Sequence, residues 1–328
     1  MVSLMDDTFS YAQVLDSTKS QLQHGGTRYE DVPAIPLHAI SAYSRLVLMT
    51  DLVVRRLLID LQPPFARDWC GGDAFSTAFF NALSMSFPFG EQFFIDAVRD
   101  AVATLPPELQ EQHKADVRGF IGQEATHRRI HSLFNNHLEK QGLVDRWTAR
   151  ASKRMELMEG ADPRHALAVT AATEHFTAMF AEWLLAHPGV LDGAEPRLRT
   201  MWLWHSAEEL EHKSVAFDIY KAAGGSDEWR TRWFRRVTLM FLGDLMRQTV
   251  DNLRHEKQLW KWSTWKSAAR ILLSRDGLLR GNLAGWRSYL RADFHPMQQD
   301  SSLSARWLAD NRAQFTPVGA APEAAAAG

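Results

Sequence analysis

The stretch WHSAEELEHKS, residues 204–214, carries apolar and ionisable residues at the three- and four-residue spacing of a helix. Glu209 and His212 stand three residues apart, so their side chains lie on one face within a single turn. His205 precedes Glu209 by four residues, which brings a third ionisable side chain to the same face. One helix is therefore predicted to present two imidazoles and a carboxylate together.

The Glu-x-x-His spacing occurs a second time in FIGQEATHRRIH, residues 120–131, where Glu124 and His127 supply it. A lone glutamate precedes each copy, Glu91 in FPFGEQFF and Glu174 in TAATEHFTA. In four-helix carboxylate proteins, one Glu from each of two helices and Glu-x-x-His from each of the other two hold two metal ions. The pattern predicts a dimetal centre of this kind.

Charge balance also favours two metal ions over one. Four glutamates among apolar residues would be costly to bury unless two divalent cations compensate them. The oxygen and imidazole donors suit iron, with manganese as the alternative ion. The single cysteine, Cys70, excludes a four-cysteine zinc or iron–sulfur site within the chain.

The predicted site has seven metal ligands and one supporting histidine. The four glutamates among the ligands are also predicted to be catalytic, as the carboxylates of the metal centre. His131 lies one turn beyond His127 and is predicted to support the ligands or to shuttle protons. The predicted ligands are Glu91, Glu124, His127, Glu174, His205, Glu209 and His212.

Helical periodicity continues through most of the chain, and glycine and proline stop signals divide it. The predicted fold class is all-α, a ferritin-like four-helix bundle with a dimetal centre plus additional N- and C-terminal helices. A single domain is expected for residues 1–315, with the bundle at about 73–223 and a C-terminal helical region at about 226–315. Residues 316–328, rich in alanine, are expected to form a disordered tail. The predicted helices include 38–60, 73–86, 89–103 and 196–223.

The charge of the chain is unevenly distributed. Its 37 Lys+Arg against 39 Asp+Glu exclude a wholly basic nucleic-acid binder, and no nucleic-acid partner is expected. Residues 221–300, however, hold 15 basic and 8 acidic residues, and nine of the twelve tryptophans follow Met201. This region predicts amphipathic helices packed over the bundle, or a surface that contacts anionic lipid or admits an acyl-like substrate.

The N-terminal residues lack a basic segment followed by an apolar core, so a cytoplasmic location is expected. No stretch approaches the roughly 18 to 20 apolar residues of a spanning helix. Peripheral contact with a membrane and assembly into a homodimer are left open.

Several motifs together resemble the family of predicted metal-dependent hydrolases, over about residues 75–296. They are FPFGEQFF, QEATHRRIHSLFN, ATEHFTA, WHSAEELEHKSVAFD and the later DFHP at 293–296. The His-x-x-x-Glu-x-x-His pattern of residues 205–212 is also similar to that of ferritin-like di-iron arylamine N-oxygenases, which carry a third histidine at this place. That second likeness implies the same seven ligands.

Two reaction classes compete for this site. The favoured hypothesis is a non-haem di-iron oxygenase or oxidase, which would use dioxygen and an electron donor to oxidise a small or lipid-like substrate. It is preferred because the predicted ligands lie in long apolar helices rather than in Asp-rich loops. The alternative, favoured by the family resemblance, is a dimetal-dependent hydrolase that uses a metal-bound hydroxide. An iron-binding or structural helical bundle is the third and least favoured hypothesis.

Overall fold

The computed structural model describes residues 52–319, apart from 157 and 159, and helices dominate this part of the chain. The prediction of an all-α protein is confirmed. The helices are α1 (Ala74–Ala103), α2 (Pro107–Lys140), α3 (Trp147–Glu156), α4 (Pro163–Ala186), α5 (Pro196–His212), α6 (Val215–Ala222), α7 (Asp227–His255), α8 (Trp262–Leu273), α9 (Leu278–Gly281), α10 (Leu283–Ser288) and α11 (Ser302–Asp310). Two short strands, β1 (Arg55–Leu57) and β2 (Phe315–Pro317), pair antiparallel.

Helix α1 is continuous, and the predicted break before residue 89 is wrong. Pro88 has no backbone N–H, so the carbonyl of Ser84, four residues earlier, has no helical donor. The side-chain amide of Asn135, on α2, donates to this carbonyl at 2.8 Å. Because a tertiary hydrogen bond replaces the missing helical one, the helix passes through the proline.

The predicted helix 196–223 is divided in two. Helix α5 ends at His212 and α6 begins at Val215. Between them the buried ammonium of Lys213 donates to the carbonyl of Gln299 at 2.7 Å and to the hydroxyl of Ser301 at 2.8 Å. The division thus coincides with an attachment point for the C-terminal segment.

The chain around β1 is extended. The helix predicted for residues 38–60 is therefore wrong over residues 52–60, the part that the structure describes. Residues 38–51 of that helix lie outside the described residues. Arg55 and Leu57 are buried while Arg56 is exposed, which is the alternation of a strand. A run this short does not distinguish strand from helix by periodicity. Its partner β2 includes the first residues of the predicted tail, and residues 320–328 of that tail lie outside the described residues.

Helices α1, α2, α4 and α5 pack around a common interior. Helix α1 contacts α2 and α4, and α5 contacts α4 and α2. Helix α7 lies against α1 and α4, and the short helices α9 and α10 contact α4. The C-terminal region therefore covers one side of the four helices. Within the described residues, no helix combines the length and apolarity needed to cross a bilayer.

Candidate metal centre

The four packed helices bring all seven predicted ligands into the protein interior. Helix α1 contributes Glu91 from its middle, whereas the helix predicted for residues 89–103 would place this residue in a first turn. Helices α2 and α4 contribute three of the others, and α5 contributes the remaining three. None of the seven residues is more than 4% exposed. The burial of so many ionisable groups in one place is the main feature of the site.

Six of the seven ligands form two groups of metal-binding geometry. Within each group, one ligand atom per residue lies within 4.8 Å of the others. Each group contains at least one carboxylate and at least one imidazole. The residues of the first group come from three helices and those of the second from two. The first group is Glu91, His127 and His205, and the second is Glu124, Glu209 and His212.

Glu209 stands between the two groups. Its Oε1 lies 2.8 Å from Nε2 of His205 and 3.3 Å from Nδ1 of His127, both in the first group. The same oxygen lies 3.7 Å from Nε2 of His212 in its own group. One carboxylate oxygen therefore faces the imidazoles of both groups, the position from which a carboxylate can serve two ions.

Glu174 belongs to neither group of three but borders the second. Its Oε2 lies 3.4 Å from Nε2 of His212, and Oε1 of Glu124 lies 3.1 Å from the same nitrogen. The structure therefore brings all seven predicted ligands together, with Glu174 on the side of the second group.

Many atoms of this cluster lack a hydrogen-bond partner. Both carboxylate oxygens of Glu91, Glu124 and Glu174 are buried without one, as are Nδ1 of His127 and Nε2 of His212. Buried polar atoms are almost always satisfied, because leaving one unpaired is costly. Oxygen and imidazole nitrogen donors are those that bind divalent first-row metals. The unsatisfied atoms and their chemistry fit a dimetal site.

The carboxylates perturb one another strongly. Burial, together with repulsion from Glu124, raises the pKa of Glu91 well above its ordinary value and that of Glu174 to about 8. Burial would also raise the pKa of Glu209, but the neighbouring imidazoles of His127, His205 and His212 hold it well below the ordinary value. The raised pKa values of Glu91 and Glu174 favour bound protons on these carboxylates, and metal cations can replace such protons.

The imidazoles of His127 and His212 each direct one ring nitrogen into the cluster and bond a partner outside it with the other. His127 donates from Nε2 to Oε2 of Glu208 at 3.0 Å, which leaves Nδ1 free. His212 donates from Nδ1 to Oε1 of Gln123 at 2.9 Å, which leaves Nε2 free. Outer partners of this kind fix the tautomer of a metal-binding histidine. Both imidazoles are thus held as metal ligands require.

A hydrogen-bonded network around Arg55 supports these outer partners. Nη1 of Arg55, on β1, lies 3.0 Å from Oε1 of Glu208 and 2.6 Å from Oε2 of Glu211. Gln123 donates from Nε2 to the same oxygen of Glu211 at 2.9 Å and to the carbonyl of Val53 at 3.0 Å. The partners of His127 and His212 are therefore parts of one network. The spacing of ligands along helices does not reveal Arg55 or Gln123, and no other signal in the sequence singles them out.

His131 lies directly behind His205. Its Nε2 is 2.6 Å from Nδ1 of His205, and its Nδ1 is 2.9 Å from Oγ of Ser84. The hydroxyl of Ser84 donates to Oδ1 of Asn135 at 2.7 Å. If His205 binds a metal through Nε2, its Nδ1 must donate to Nε2 of His131. His131 then donates from Nδ1 to Ser84, and Ser84 donates to Asn135, so each of these hydrogen bonds has a donor and an acceptor. The structure brings His131 where a supporting role requires it.

An apolar cavity of about 360 Å³ reaches the cluster at His205 and Glu209. Aromatic and aliphatic side chains from α1, α4, α5 and α7 form most of its wall, and residues of α9 and α10 complete it. Cavities that bind small molecules are mostly apolar with a few polar groups at defined places. Here those polar groups include two of the candidate metal ligands. Among the lining residues are Phe79, Leu83, Phe87, Phe176, Trp202, Phe241, Leu279 and Leu283.

A family model described as predicted metal-dependent hydrolase matches residues 53–300, which include all seven candidate ligands and Arg55. The chain belongs to this family. Its membership in the predicted metal-dependent hydrolases, together with the two ligand groups, indicates an enzyme with a dimetal site, without establishing iron as the metal. Comparison with curated proteins gives no significant match, and comparison with solved structures gives none either.

The family match overturns the favoured oxygenase hypothesis. A predicted metal-dependent hydrolase agrees with the alternative of the sequence analysis, and the oxidoreductase class is not supported. The likeness to arylamine N-oxygenases is not confirmed, although the third histidine, His205, does lie in the cluster. The error has a chemical reason: oxygen and imidazole ligands serve both dioxygen chemistry and water activation, so the ligand set alone does not separate them.

Proposed function

We propose that this protein is a dimetal-dependent hydrolase that cleaves carboxylic esters or amides with an apolar acyl chain. The observation that carries the proposal is the position of Glu209, which faces both ligand groups and also lines the apolar cavity. A substrate in the cavity would present its polar group where the two groups meet. The family supports the reaction class, and the cavity lining supports the substrate class.

We assign the ligands to two ions within a ferritin-like four-helix frame. Glu91, His127 and His205 would hold the first ion, and Glu209 would be shared between the two. His212, Glu124 and Glu174 would hold the second ion, because both carboxylates lie close to Nε2 of His212. Manganese, iron and zinc all accept this donor set. When bound, such ions would supply Lewis acidity that polarises a carbonyl group and makes a water molecule more acidic.

The residues of the chain have two further tasks. The apolar wall binds the acyl chain and excludes bulk water, which strengthens electrostatic interactions at the reacting group. His131 orients His205 by accepting a hydrogen bond from its Nδ1–H, and Ser84 and Asn135 fix His131 in turn. We propose His131 as a positioning residue, because it contacts the substrate-facing histidine and does not line the cavity.

Esters of increasing acyl length test the proposed reaction. Metal-free protein is loaded with manganese, zinc or ferrous iron, the last without oxygen, and hydrolysis of p-nitrophenyl esters is followed. We expect metal-dependent hydrolysis whose kcat/KM rises with acyl length, because each added methylene buries apolar area in the cavity.

Two glutamine substitutions make the test specific. Glu209→Gln should abolish hydrolysis and reduce the bound metal, measured by elemental analysis. Glu182→Gln, a half-buried residue on α4 outside the cluster, is the matched control and should change neither. Protein that binds two ions but hydrolyses no ester or amide of any chain length would contradict the proposal.

A further inference from the structure

Helix α8 carries an apolar stripe on the face that points away from the protein. Its buried residues are Thr264, Ser267, Ala268 and Ile271, which are mostly small or polar. On the helical wheel, Trp262, Trp265, Ala269 and Leu273 fall within about 80° on the opposite side. All four are exposed, Trp262 to 81%. The usual amphipathic arrangement, with the larger apolar side chains facing the core, is therefore reversed.

Basic residues surround this stripe. Residues 257–287 contain seven Lys+Arg and a single acidic residue, Asp276. Trp260, just before α8, is 92% exposed, more than any other large apolar residue in the described part of the chain. We call the surface the α8 face; it consists of Trp260, Trp262, Trp265, Leu273, Leu279 and Leu283 with Lys257, Lys261, Lys266, Arg275 and Arg280, all exposed.

The α8 face is continuous with the opening of the apolar cavity. Leu279 and Leu283 are 42% and 44% exposed, and both also line the cavity. Helix α8 contacts α9, which carries Leu279, and α9 in turn contacts α10, which begins at Leu283. Two exposed leucines of the α8 face are therefore part of the wall of the cavity that reaches His205 and Glu209.

We infer that the α8 face docks on the surface of an anionic lipid membrane. Exposed tryptophans with lysines and arginines beside them are the composition of helices that lie in the membrane interface. Protein interfaces, by contrast, are depleted in lysine, of which this face has three. Docking itself is independent of the proposed reaction. Entry of an acyl substrate from the membrane past Leu279 and Leu283 rests on the proposed function.

Vesicle flotation tests the docking. Full-length protein is floated with phosphatidylcholine vesicles that contain or lack phosphatidylserine, at low and high salt. We expect binding that requires phosphatidylserine and weakens with salt, because the basic residues are attracted to anionic headgroups. Trp260→Ala with Trp262→Ala should lower the partition coefficient about tenfold or more, since both indoles then no longer bury apolar area. Lys261→Glu with Lys266→Glu should lower it at least as much.

Matched variants control for these changes. Leu58→Ala and Leu239→Ala remove exposed apolar residues elsewhere, and Lys140→Glu with Lys153→Glu reverses two exposed charges on α2 and α3. These variants should float like the unaltered protein. All variants should hydrolyse a short water-soluble ester at the unaltered rate, which separates a failure of docking from a failure of the proposed function.

Two results would overturn the inference. One is equal flotation of the tryptophan variant and the Leu58→Ala control. The other is an absence of vesicle binding together with self-association, seen by sedimentation velocity, that the tryptophan substitutions abolish. The second result would identify the α8 face as an interface between two copies of the chain.

Discussion

The guanidinium of Arg55 lies 3.0 Å from the carboxylate of Glu208, across 153 residues of sequence. Neither residue is a candidate metal ligand, yet Glu208 accepts the hydrogen bond that leaves Nδ1 of His127 free. Both side chains are nearly or completely buried. A residue of a short edge strand thus determines how a ligand on α2 is presented, through a carboxylate on α5.

Arg55→Ala should lower metal affinity by about 10- to 100-fold, the usual effect of losing a group that supports a ligand. The substitution leaves the buried Glu208 carboxylate without its cation and loosens His127. Isothermal titration with manganese and zinc measures the effect. Arg56→Ala, the exposed neighbour on the same strand, is the control and should bind as the unaltered protein does. Equal affinities for the two variants would show that the network does not support the ligands.

His131→Leu should reduce kcat/KM by about 10- to 100-fold while both metal ions remain bound. The leucine removes the acceptor for Nδ1 of His205, so this imidazole loses its fixed orientation. Its metal-binding atom, Nε2, is unchanged. His131→Asn, which retains an acceptor, should recover part of the activity. Steady-state kinetics and elemental analysis of the same samples measure the two quantities. Loss of metal in His131→Leu would instead make His131 essential to binding.

The stability of the metal-free protein should fall as the pH rises from about 6.5 to 8. The pKa of Glu174 is raised from 4.5 to about 8 by burial and repulsion from Glu124. Burial alone would lower the pKa of His127, but the adjacent carboxylates of Glu208 and Glu209 raise it from 6.5 to about 10. In this interval the folded state binds more protons than the unfolded state, and the slope of stability with pH is negative.

Calorimetric Tm values of metal-free protein across this interval measure the change. The groups whose pKa is lowered oppose this trend only in part. Burial brings the pKa of His205 to about 4, but the unfolded imidazole is itself mostly neutral above pH 7. Burial also lowers the pKa of Lys213 to about 8, which acts only near the upper end of the interval. Glu174→Gln should make the dependence shallower, and manganese added at pH 7 should release protons into a weakly buffered solution. A Tm that rises with pH in the metal-free protein would refute the raised pKa values of Glu174 and His127.

Asn135→Ala should lower the free energy of unfolding by about 1–3 kcal/mol, because the buried carbonyl of Ser84 loses its donor. In a Pro88→Ala background the helix supplies its own N–H, so the same change should cost less. Urea denaturation of the two single variants and the double variant measures this coupling. Asn136→Ala, exposed on α2, is the control and should stay within about 0.5 kcal/mol. Additive effects would show that Asn135 does not compensate for the proline.

Local helical spacing was sufficient to predict the all-α class and to select the seven residues that the structure brings together. Glu124 with His127 and Glu209 with His212 repeat one spacing, and a helix places such pairs on one face whatever surrounds it. The same reasoning failed at Pro88, where the continuity of α1 depends on an amide from another helix. It also failed at β1, whose pairing partner lies about 260 residues further along the chain.

The sequence by itself therefore determined which side chains can act together within a turn of helix, because that geometry depends only on residues three or four apart. The tertiary structure decided the rest: that Glu209 faces both ligand groups, that Arg55 supports His127, and that an apolar cavity reaches His205. These relationships join residues from different elements. They arise from the packing of whole helices, which no local spacing records.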